Sequence, residues 1–363
     1  MCCLLVDESR QLSLDWAQRV LDQYHPGVRA TRIRILSREI GTTTRIRLAV
    51  DHDGPAQLPR RWFVKLPSDD WRARLITALP RLLQTEVRFY KEVAPRMPIP
   101  QPLVLATEAR PGRGTCLVLE DVTASGARAG KPTDALTPGQ ARRMVEILAR
   151  LHAKFQSQSL LVRDYSWLAG PVRRLENRLG TVLGPALMRR GLGLAADAVA
   201  TQLHEPALVY ASQRRRAMAF LERGPCTLVH HDCHPGNLYW RDDRPGLLDW
   251  QLLRIGEGIG DLAYLLATAL KPQVRRNQEN ALLDLYRECL IQEGIEAPKP
   301  ADLLLRYRAH LVYPLEAMLV TLAVGGMLEA HANRELIRRA ACACEDQQAF
   351  AALPIESVNK FPG

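Results

Sequence analysis

The chain has 363 residues, of which 47% are hydrophobic and 24% are charged, a composition that excludes an intrinsically disordered protein and suits two domains or two lobes. Its formal net charge is +10, but the basic residues are scattered, so we expect a solvated basic surface and no specific nucleic-acid partner. The eight cysteines show neither zinc-type spacing nor a small disulfide framework, which favours reduced thiols in the cytoplasm.

Alternating apolar residues predict five short strands between about Arg32 and Glu120. TRIRIL and TRIRLAV flank a turn at Gly41, and they are followed by RRWFVKL, PLVLAT and TCLVLE. One helix is predicted among them, from about Thr77 to Val93, because apolar residues recur there at helical spacing. We therefore expect residues 1–121 to form a first lobe, with an antiparallel sheet and one helix.

After Asp121 the loop VTASGARAGKPTDALT leads into a chain that is mostly helical in period. Thr137 is a predicted N-cap, with Pro138 in the first turn of a helix that ends near residue 155. Further helices are expected near 208–223, 260–270, 280–293, 301–328 and 333–353. Residues 122–363 are therefore predicted to form a second, mainly helical lobe.

The longest apolar stretch, LVYPLEAMLVTLAVGGML, begins at Leu311. Pro314 and Glu316 interrupt it, and a glutamate is costly inside a membrane. The stretch therefore favours a buried core helix, and we expect no transmembrane segment.

The helical period is broken by CTLVHHDCHPGNLYWRDDRPGLLDW, where short strand-like pieces surround polar residues. Asp232 and Asn237 lie in one loop, and Asp249 ends the next apolar run. Mg²⁺ prefers carboxylate and amide oxygens, and phosphoryl transfer needs an oriented nucleophile beside a metal that bridges phosphate oxygens. The three side chains suit this chemistry, with Asp232 orienting the acceptor and the other two binding metal. An ordinary polar turn is the alternative.

Lys65 lies inside the apolar strand WFVKL, where lysine is a poor strand former unless its amine has a task. Glu86 follows in the predicted helix. A strand lysine that grips the α- and β-phosphates and is held by a helix glutamate is half of a kinase-type nucleotide site. The alternative for Lys65 is a charged edge-strand residue that opposes aggregation.

HxDxHPGN followed by LDWQ, with VKLP, EVRFY and CLVLEDV upstream, resembles the aminoglycoside phosphotransferase and choline kinase superfamily. Within it, the chain most resembles the ecdysteroid kinase-like and related bacterial phosphotransferases. The resemblance covers about residues 32–328 and implies an α+β, bilobal protein-kinase-like fold, with a small antiparallel-sheet lobe and a mainly helical lobe. It also implies an enzyme that uses ATP and Mg²⁺ to phosphorylate a hydroxyl of a small molecule. A catalytically silent nucleotide-binding scaffold is the alternative.

The resemblance implies a role for each matching residue. Asp232 would be the catalytic aspartate, Asn237 and Asp249 the Mg²⁺ ligands, and Lys65 the phosphate-binding lysine with Glu86 as its partner. All five residues are present, which disfavours the silent scaffold.

Two further segments would contact the nucleotide if the resemblance holds. LVLED, residues 117–121, matches the family's inter-lobe linker, which implies that main-chain groups bind adenine. The residues expected there are Glu120, Asp121 and the next residue, Val122. The turn REIGTTTRI has a lone glycine, and hydroxyl side chains often replace glycines there in this family. We therefore expect phosphate contacts from Thr42, Thr43 and Thr44.

The loop around Asp232 has two further features. Asp261, in IGDLAYLL, matches a family aspartate that supports the catalytic loop, although a plain helix N-cap is an equal alternative. His230 is also expected to support the loop, whereas His231 stands where most relatives carry glycine. The acceptor is not identified, but a basic surface suits a neutral or anionic alcohol better than a polycationic aminoglycoside.

Overall fold

The computed structural model describes residues 4–5, 12–69, 81–110 and 114–355. The chain divides into two compact units. The N-terminal unit comprises residues up to 129 together with 239–242 and 246–252. The C-terminal unit comprises 130–238, 243–245 and the residues from 253 onwards.

A five-stranded antiparallel sheet, in the order β1-β2-β3-β5-β4, forms the N-terminal unit. Its strands are β1 Ala30–Ile40, β2 Thr43–His52, β3 Arg61–Pro67, β4 Val104–Arg110 and β5 Gly114–Glu120. Alternate residues such as Ile46, Leu48 and Val64 are fully buried, so one face of the sheet builds the core. The predicted antiparallel sheet is confirmed.

The described part of the N-terminal unit also contains two α-helices. Helix α1, Leu14–Tyr24, was not predicted, although the Ser13 side chain caps it and it buries Trp16 against Trp62, with ring centroids 6.4 Å apart. Helix α2 is Leu82–Arg88, and it continues through a π-helical turn, Phe89–Val93. The start of the predicted 77–93 helix lies outside the described residues.

The C-terminal unit is mainly helical, as predicted. Its helices are α3 Pro138–Phe155, α4 Gln158–Tyr165, α5 Pro171–Leu194, α6 His204–Ser212, α7 Arg214–Leu221, α8 Ile259–Ala269, α9 Pro272–Gln292, α10 Pro300–His310, α11 Val312–Val324 and α12 Ala330–Asp346. Helices α4 and α5 were not predicted. Among the described helices, none has both the length and the apolar character that crossing a membrane requires.

The predicted 301–328 helix is two helices that meet at Leu311. Proline lacks an N–H, and its ring clashes with the carbonyl four residues earlier in a continuous helix. Because Pro314 lies in the first turn of α11, where no N–H is needed, the break removes both penalties. The prediction of one uninterrupted helix was therefore wrong at this point.

Short strands frame the polar loops. They are β6 Arg128–Ala129, β7 Cys226–Val229, β8 Leu238–Arg241, β9 Arg244–Leu247 and β10 Arg254–Glu257. In the C-terminal unit, β7 pairs with β10 in antiparallel register. The loop that holds Asp232 follows β7, and α8 follows β10, so this pair sets where the loop and α8 begin.

Helix α3 begins with a capping box, as the sequence predicted at Thr137. The Gln140 N–H donates to Thr137 Oγ1 over 3.2 Å, and the Thr137 N–H donates to Gln140 Oε1 over 3.0 Å. Each bond satisfies an N–H that the helix cannot. We expect Thr137→Ala to lower the free energy of unfolding by about 1 kcal/mol in urea titrations followed by circular dichroism. Thr137→Ser is the control and should lose little; equal stability of T137A and wild type would contradict the role of the cap.

Candidate active site

Lys65 and Glu86 form a buried ion pair in the N-terminal unit. Strand β3 lies between β2 and β5 and carries Lys65, whose side chain is almost fully buried. Its Nζ lies 2.8 Å from both carboxylate oxygens of Glu86, on α2. Burial raises the pKa of Glu86 to about 7, and the Lys65 ammonium opposes that rise. The lysine is therefore needed to keep this carboxylate charged near neutral pH.

Asp249 approaches the same lysine within this unit. Its Oδ1 lies 3.1 Å from Lys65 Nζ, and about a quarter of its side chain is exposed, in contrast to Glu86. Its backbone has φ +64°, a left-handed conformation that is uncommon for a residue with a side chain. One ammonium thus contacts a buried carboxylate and a partly exposed one.

An aromatic stack joins α2 to the segment that follows Asp249. The rings of Phe89 and Trp250 are 4.2 Å apart and nearly parallel, at 12°, and both residues are fully buried. The Trp250 indole N–H donates to Gln101 Oε1 over 3.1 Å. Because Phe89 lies one turn after Glu86 and Trp250 follows Asp249, the stack fixes the two carboxylates relative to each other. Sequence reasoning missed this contact, although both rings lie inside motifs that it used.

The predicted adenine-binding segment already uses part of its main chain. The N–H of Glu120 donates to the Leu103 carbonyl, and that of Asp121 donates to the Arg61 carbonyl, each over 2.9 Å. The Val122 carbonyl accepts a hydrogen bond at 3.0 Å from an N–H further along the segment, whereas the Val122 N–H has no partner among the described residues. That N–H is therefore the group in the segment that could donate to a nucleobase.

The predicted phosphate turn places its three hydroxyls differently. Thr44 Oγ1 accepts the N–H of Asp69 over 2.9 Å, so this hydroxyl holds the turn together. Thr43 is buried, and its hydroxyl has no partner among the described residues, while Thr42 is half-buried. The hydroxyls that could contact phosphate are therefore those of Thr42 and Thr43.

Asp261 anchors the predicted catalytic loop, which follows β7 in the C-terminal unit. This fully buried carboxylate accepts the N–H groups of His230 and His231, each over 2.7 Å, and lies 3.3 Å from Nε2 of His152, on α3. Burial alone would raise its pKa, but hydrogen bonding and charge from the histidines outweigh burial and lower it. Since Gly258 occupies the N-cap of α8, the structure favours loop support, one of the two alternatives from the sequence.

Asp232 has its carboxylate fixed from two sides. The Tyr264 hydroxyl donates to Oδ1 over 2.6 Å, and the Asn237 amide donates to Oδ2 over 2.9 Å and to the Asp232 carbonyl over 3.0 Å. His230 Nδ1 accepts the Asp232 N–H over 3.2 Å. Sequence reasoning missed Tyr264, although it lies three residues after Asp261 and therefore on the same face of α8.

Asn237, in the C-terminal unit, and Asp249, in the N-terminal unit, each carry donor atoms that suit a hard cation. Because the Asn237 amide nitrogen faces Asp232, its oxygen remains for a metal, and Asp249 offers a partly exposed carboxylate. Within the described part of the chain, no group of three or more His, Cys, Asp or Glu side chains could hold a metal by itself. Mg²⁺ tolerates this, since it usually binds one or two protein oxygens and completes its shell with phosphates and water.

Comparisons with known proteins agree with the fold. A protein-family model, the phosphotransferase enzyme family, matches residues 52–300, more than half of the chain. No curated protein matches the chain. A solved structure from Ralstonia eutropha JMP134, provisionally described as an aminoglycoside phosphotransferase, is 14% identical, with 93% of this chain and 98% of that chain covered and a TM-score of 0.52. A GDP complex of an aminoglycoside 2′-phosphotransferase-IIIa mutant is 12% identical, with coverages of 93% and 98% and a TM-score of 0.50. At these identities the two structures establish the fold.

Replacing Asp261 by asparagine tests the loop anchor. Asp261→Asn places an amide N–H₂ against one of two buried N–H donors, so we expect the free energy of unfolding at pH 7 to fall by about 2–3 kcal/mol. Asp284→Asn, on an exposed position of α9, is the matched control and should change little.

The pH dependence of this difference has a definite sign. Since the folded-state pKa of Asp261 is lowered, its stabilisation is complete above the unfolded-state value of about 3.9 and is lost as the pH falls through the folded-state value. The gap between wild type and D261N should therefore shrink below about pH 4 in urea titrations. A difference in the free energy of unfolding that stays constant as the pH falls to acid unfolding would show that the ionised Asp261 carboxylate does not cause it.

Proposed function

Because this chain belongs to the phosphotransferase enzyme family, we propose that it transfers the γ-phosphoryl group of ATP to a hydroxyl of a small molecule. The observation that carries the proposal is the contact of Lys65 with both Glu86 and Asp249. A buried lysine on a central strand, shared by two carboxylates, has little structural reason to be there, whereas nucleotide phosphates give it one. Membership of the ecdysteroid kinase-like subgroup stays a prediction from the sequence.

Lys65 is proposed to bind the α- and β-phosphates. An ammonium has three donors, and three carboxylate oxygens of Glu86 and Asp249 face them, so a phosphate oxygen would take the place of the partly exposed Asp249. Glu86 is fully buried and has no surface for solvent or ligand, so its proposed role is to orient the lysine. Thr42 and Thr43 in the β1–β2 turn add hydroxyl donors, and the Val122 N–H supplies a donor for adenine.

Asp232 is proposed to orient the acceptor and receive its proton. Tyr264 and Asn237 fix the carboxylate, so a hydroxyl that donates to it has one preferred direction. As the oxygen of that hydroxyl bonds to the γ-phosphorus, the bond from this phosphorus to the bridging oxygen of ATP breaks, ADP leaves, and the proton of the hydroxyl passes to a carboxylate oxygen of Asp232. His230 and Asp261 hold the main chain of the loop, and thereby the position of this carboxylate.

Asn237 and Asp249 are the residues that would hold Mg²⁺, through an amide oxygen and a carboxylate. When bound, Mg²⁺ neutralises charge on phosphate oxygens and places the phosphates for in-line transfer. Asn237 also donates to Asp232, so this one amide would serve both the metal and the acceptor-orienting carboxylate.

Lys65→Met tests nucleotide binding. It removes the charged donor while keeping similar length, so the affinity for Mg·ATP should fall about tenfold to a hundredfold, as expected for loss of charge-assisted hydrogen bonds. Lys91→Met, at an exposed position after α2, is the matched control and should bind as wild type does. Isothermal titration calorimetry measures both, and equal affinity of K65M and wild type would remove Lys65 from the proposed nucleotide site.

Asp232→Asn tests the reaction itself. ATP consumption with Mg²⁺ is measured across alcohols, sugars, steroids and amino sugars, and phosphorylated product is identified by mass spectrometry. We expect turnover with at least one acceptor, reduced about 10²- to 10⁴-fold in D232N because the proton acceptor is lost, with Mg·ATP affinity largely retained. Asp302→Asn, an exposed residue of α10, is the control. Binding of Mg·ATP without turnover would favour the silent scaffold, and absence of nucleotide binding would contradict both functions.

A further inference from the structure

His231, which precedes Asp232, carries its ring on an unfavourable backbone. Its φ is +70°, in the left-handed region that glycine adopts without strain and that residues with a Cβ rarely occupy. The loop cannot relax out of this conformation freely, because the His231 N–H is held by the buried Asp261 over 2.7 Å. A glycine at this position would make the same hydrogen bond without strain. The hydrogen bond therefore gives no reason for a histidine, and the contacts of the imidazole ring are what could give one.

The ring of His231 is stacked on Tyr313, from the first turn of α11. The ring centroids are 3.9 Å apart with an interplanar angle of 30°, and both residues are half-buried. Tyr313 in turn lies 5.9 Å from the ring of Tyr264, whose hydroxyl donates to Asp232. The three rings are therefore continuous with the carboxylate that orients the acceptor hydroxyl, and two of them keep exposed surface.

The helices that carry these tyrosines offer no unpaired acid. Helix α8 has one charged residue, Asp261, which is fully buried and bound to the loop. Helix α11 also has one, Glu316, which is buried, accepts the Tyr210 hydroxyl over 2.6 Å and pairs with Arg214. A polycationic acceptor would give up hydration of its charges and gain no free carboxylate on either helix. A neutral acceptor carries no such charge to desolvate.

We propose that His231 and Tyr313 form an acceptor-binding surface for a neutral alcohol whose hydroxyl is carried next to a planar ring. The inference rests on the proposed function, because it takes Asp232 as the group that receives the acceptor hydroxyl. Stacking against an aromatic surface favours a flat ring over a puckered one of the same size, since dispersion and quadrupole contacts need parallel faces. The acceptor hydroxyl would then point along the row of rings towards Asp232.

Two alcohols with the same hydroxymethyl group provide the test. The probes are 2-naphthylmethanol and decahydro-2-naphthylmethanol, and their equilibrium binding is measured by NMR titration with Mg²⁺ and a non-hydrolysable ATP analogue present. Wild type should bind the planar alcohol about threefold to tenfold more tightly than the saturated one. The same titration with a polycationic amino sugar should show weaker binding than either alcohol.

His231→Gly removes the ring at a position that favours glycine, so the variant should fold at least as well as wild type and bring the binding ratio close to one. Tyr313→Leu should also abolish the preference, and Tyr313→Phe, which keeps the ring, should retain it. A ratio that stays unchanged in both H231G and Y313L, or wild type that prefers the saturated alcohol, would overturn the inference.

Binding and turnover are scored separately. A planar-ring preference that H231G abolishes supports the surface even where no acceptor of the panel is phosphorylated, in which case the proposed reaction fails on its own. Turnover of other acceptors with no ring preference in binding would leave the reaction intact and overturn the surface.

Discussion

The buried Asp261 carboxylate sets the geometry of the loop that holds Asp232. Removing a carboxylate from water costs several kcal/mol, and this cost is offset only where the surroundings supply good hydrogen bonds. Here two main-chain N–H groups and His152 supply them, and they hold the pKa of Asp261 below its usual value despite complete burial. Because the donors belong to His230 and His231, the anion fixes the backbone that leads into Asp232. Tyr264, one turn further along α8, then fixes the carboxylate of Asp232 itself.

Glu86 in the N-terminal unit is equally buried, yet its pKa moves in the opposite direction, to about 7. The difference lies in the partners. Asp261 is stabilised as an anion by hydrogen bonding and charge from His152, by charge from His230 and by the main-chain N–H of His231. Glu86 depends on one ammonium, and the nearby Asp249 carboxylate shares that ammonium and opposes ionisation of Glu86. Lys65 is thus held by carboxylate oxygens, and the one from Asp249 is partly exposed, so under the proposed function a phosphate oxygen can replace it. The loop is held by an anion whose lowered pKa keeps it charged near neutral pH.

Local patterns in the sequence were sufficient for the sheet, for the cap at Thr137 and for placing Lys65, Glu86, Asp232, Asn237 and Asp249 in the elements where they lie. Each of these rests on alternation, capping chemistry or a short spacing, which act over a few residues. The Phe89–Trp250 stack and the Tyr313–His231 stack join residues far apart in the chain, so no local pattern contains them. The positive φ of His231 accompanies a hydrogen bond from its N–H to Asp261, 30 residues further along the chain, so no local pattern contains it either. Helix α1 was missed for another reason: its capping serine and apolar spacing were visible but lay before the first predicted strand.

In the C-terminal unit, the hydrogen bonds that hold the loop and Asp232 are separate from the contact between His231 and Tyr313. Main-chain groups of the loop are held by Asp261, and the Asp232 carboxylate is held by Tyr264 and Asn237. None of these hydrogen bonds uses the His231 ring, so a substitution there that keeps the main-chain N–H keeps them available. The His231 ring lies against Tyr313, and both residues are half-buried. If the proposed acceptor-binding surface holds, a change of this ring alters which alcohol binds while the hydrogen bonds to Asp232 stay the same.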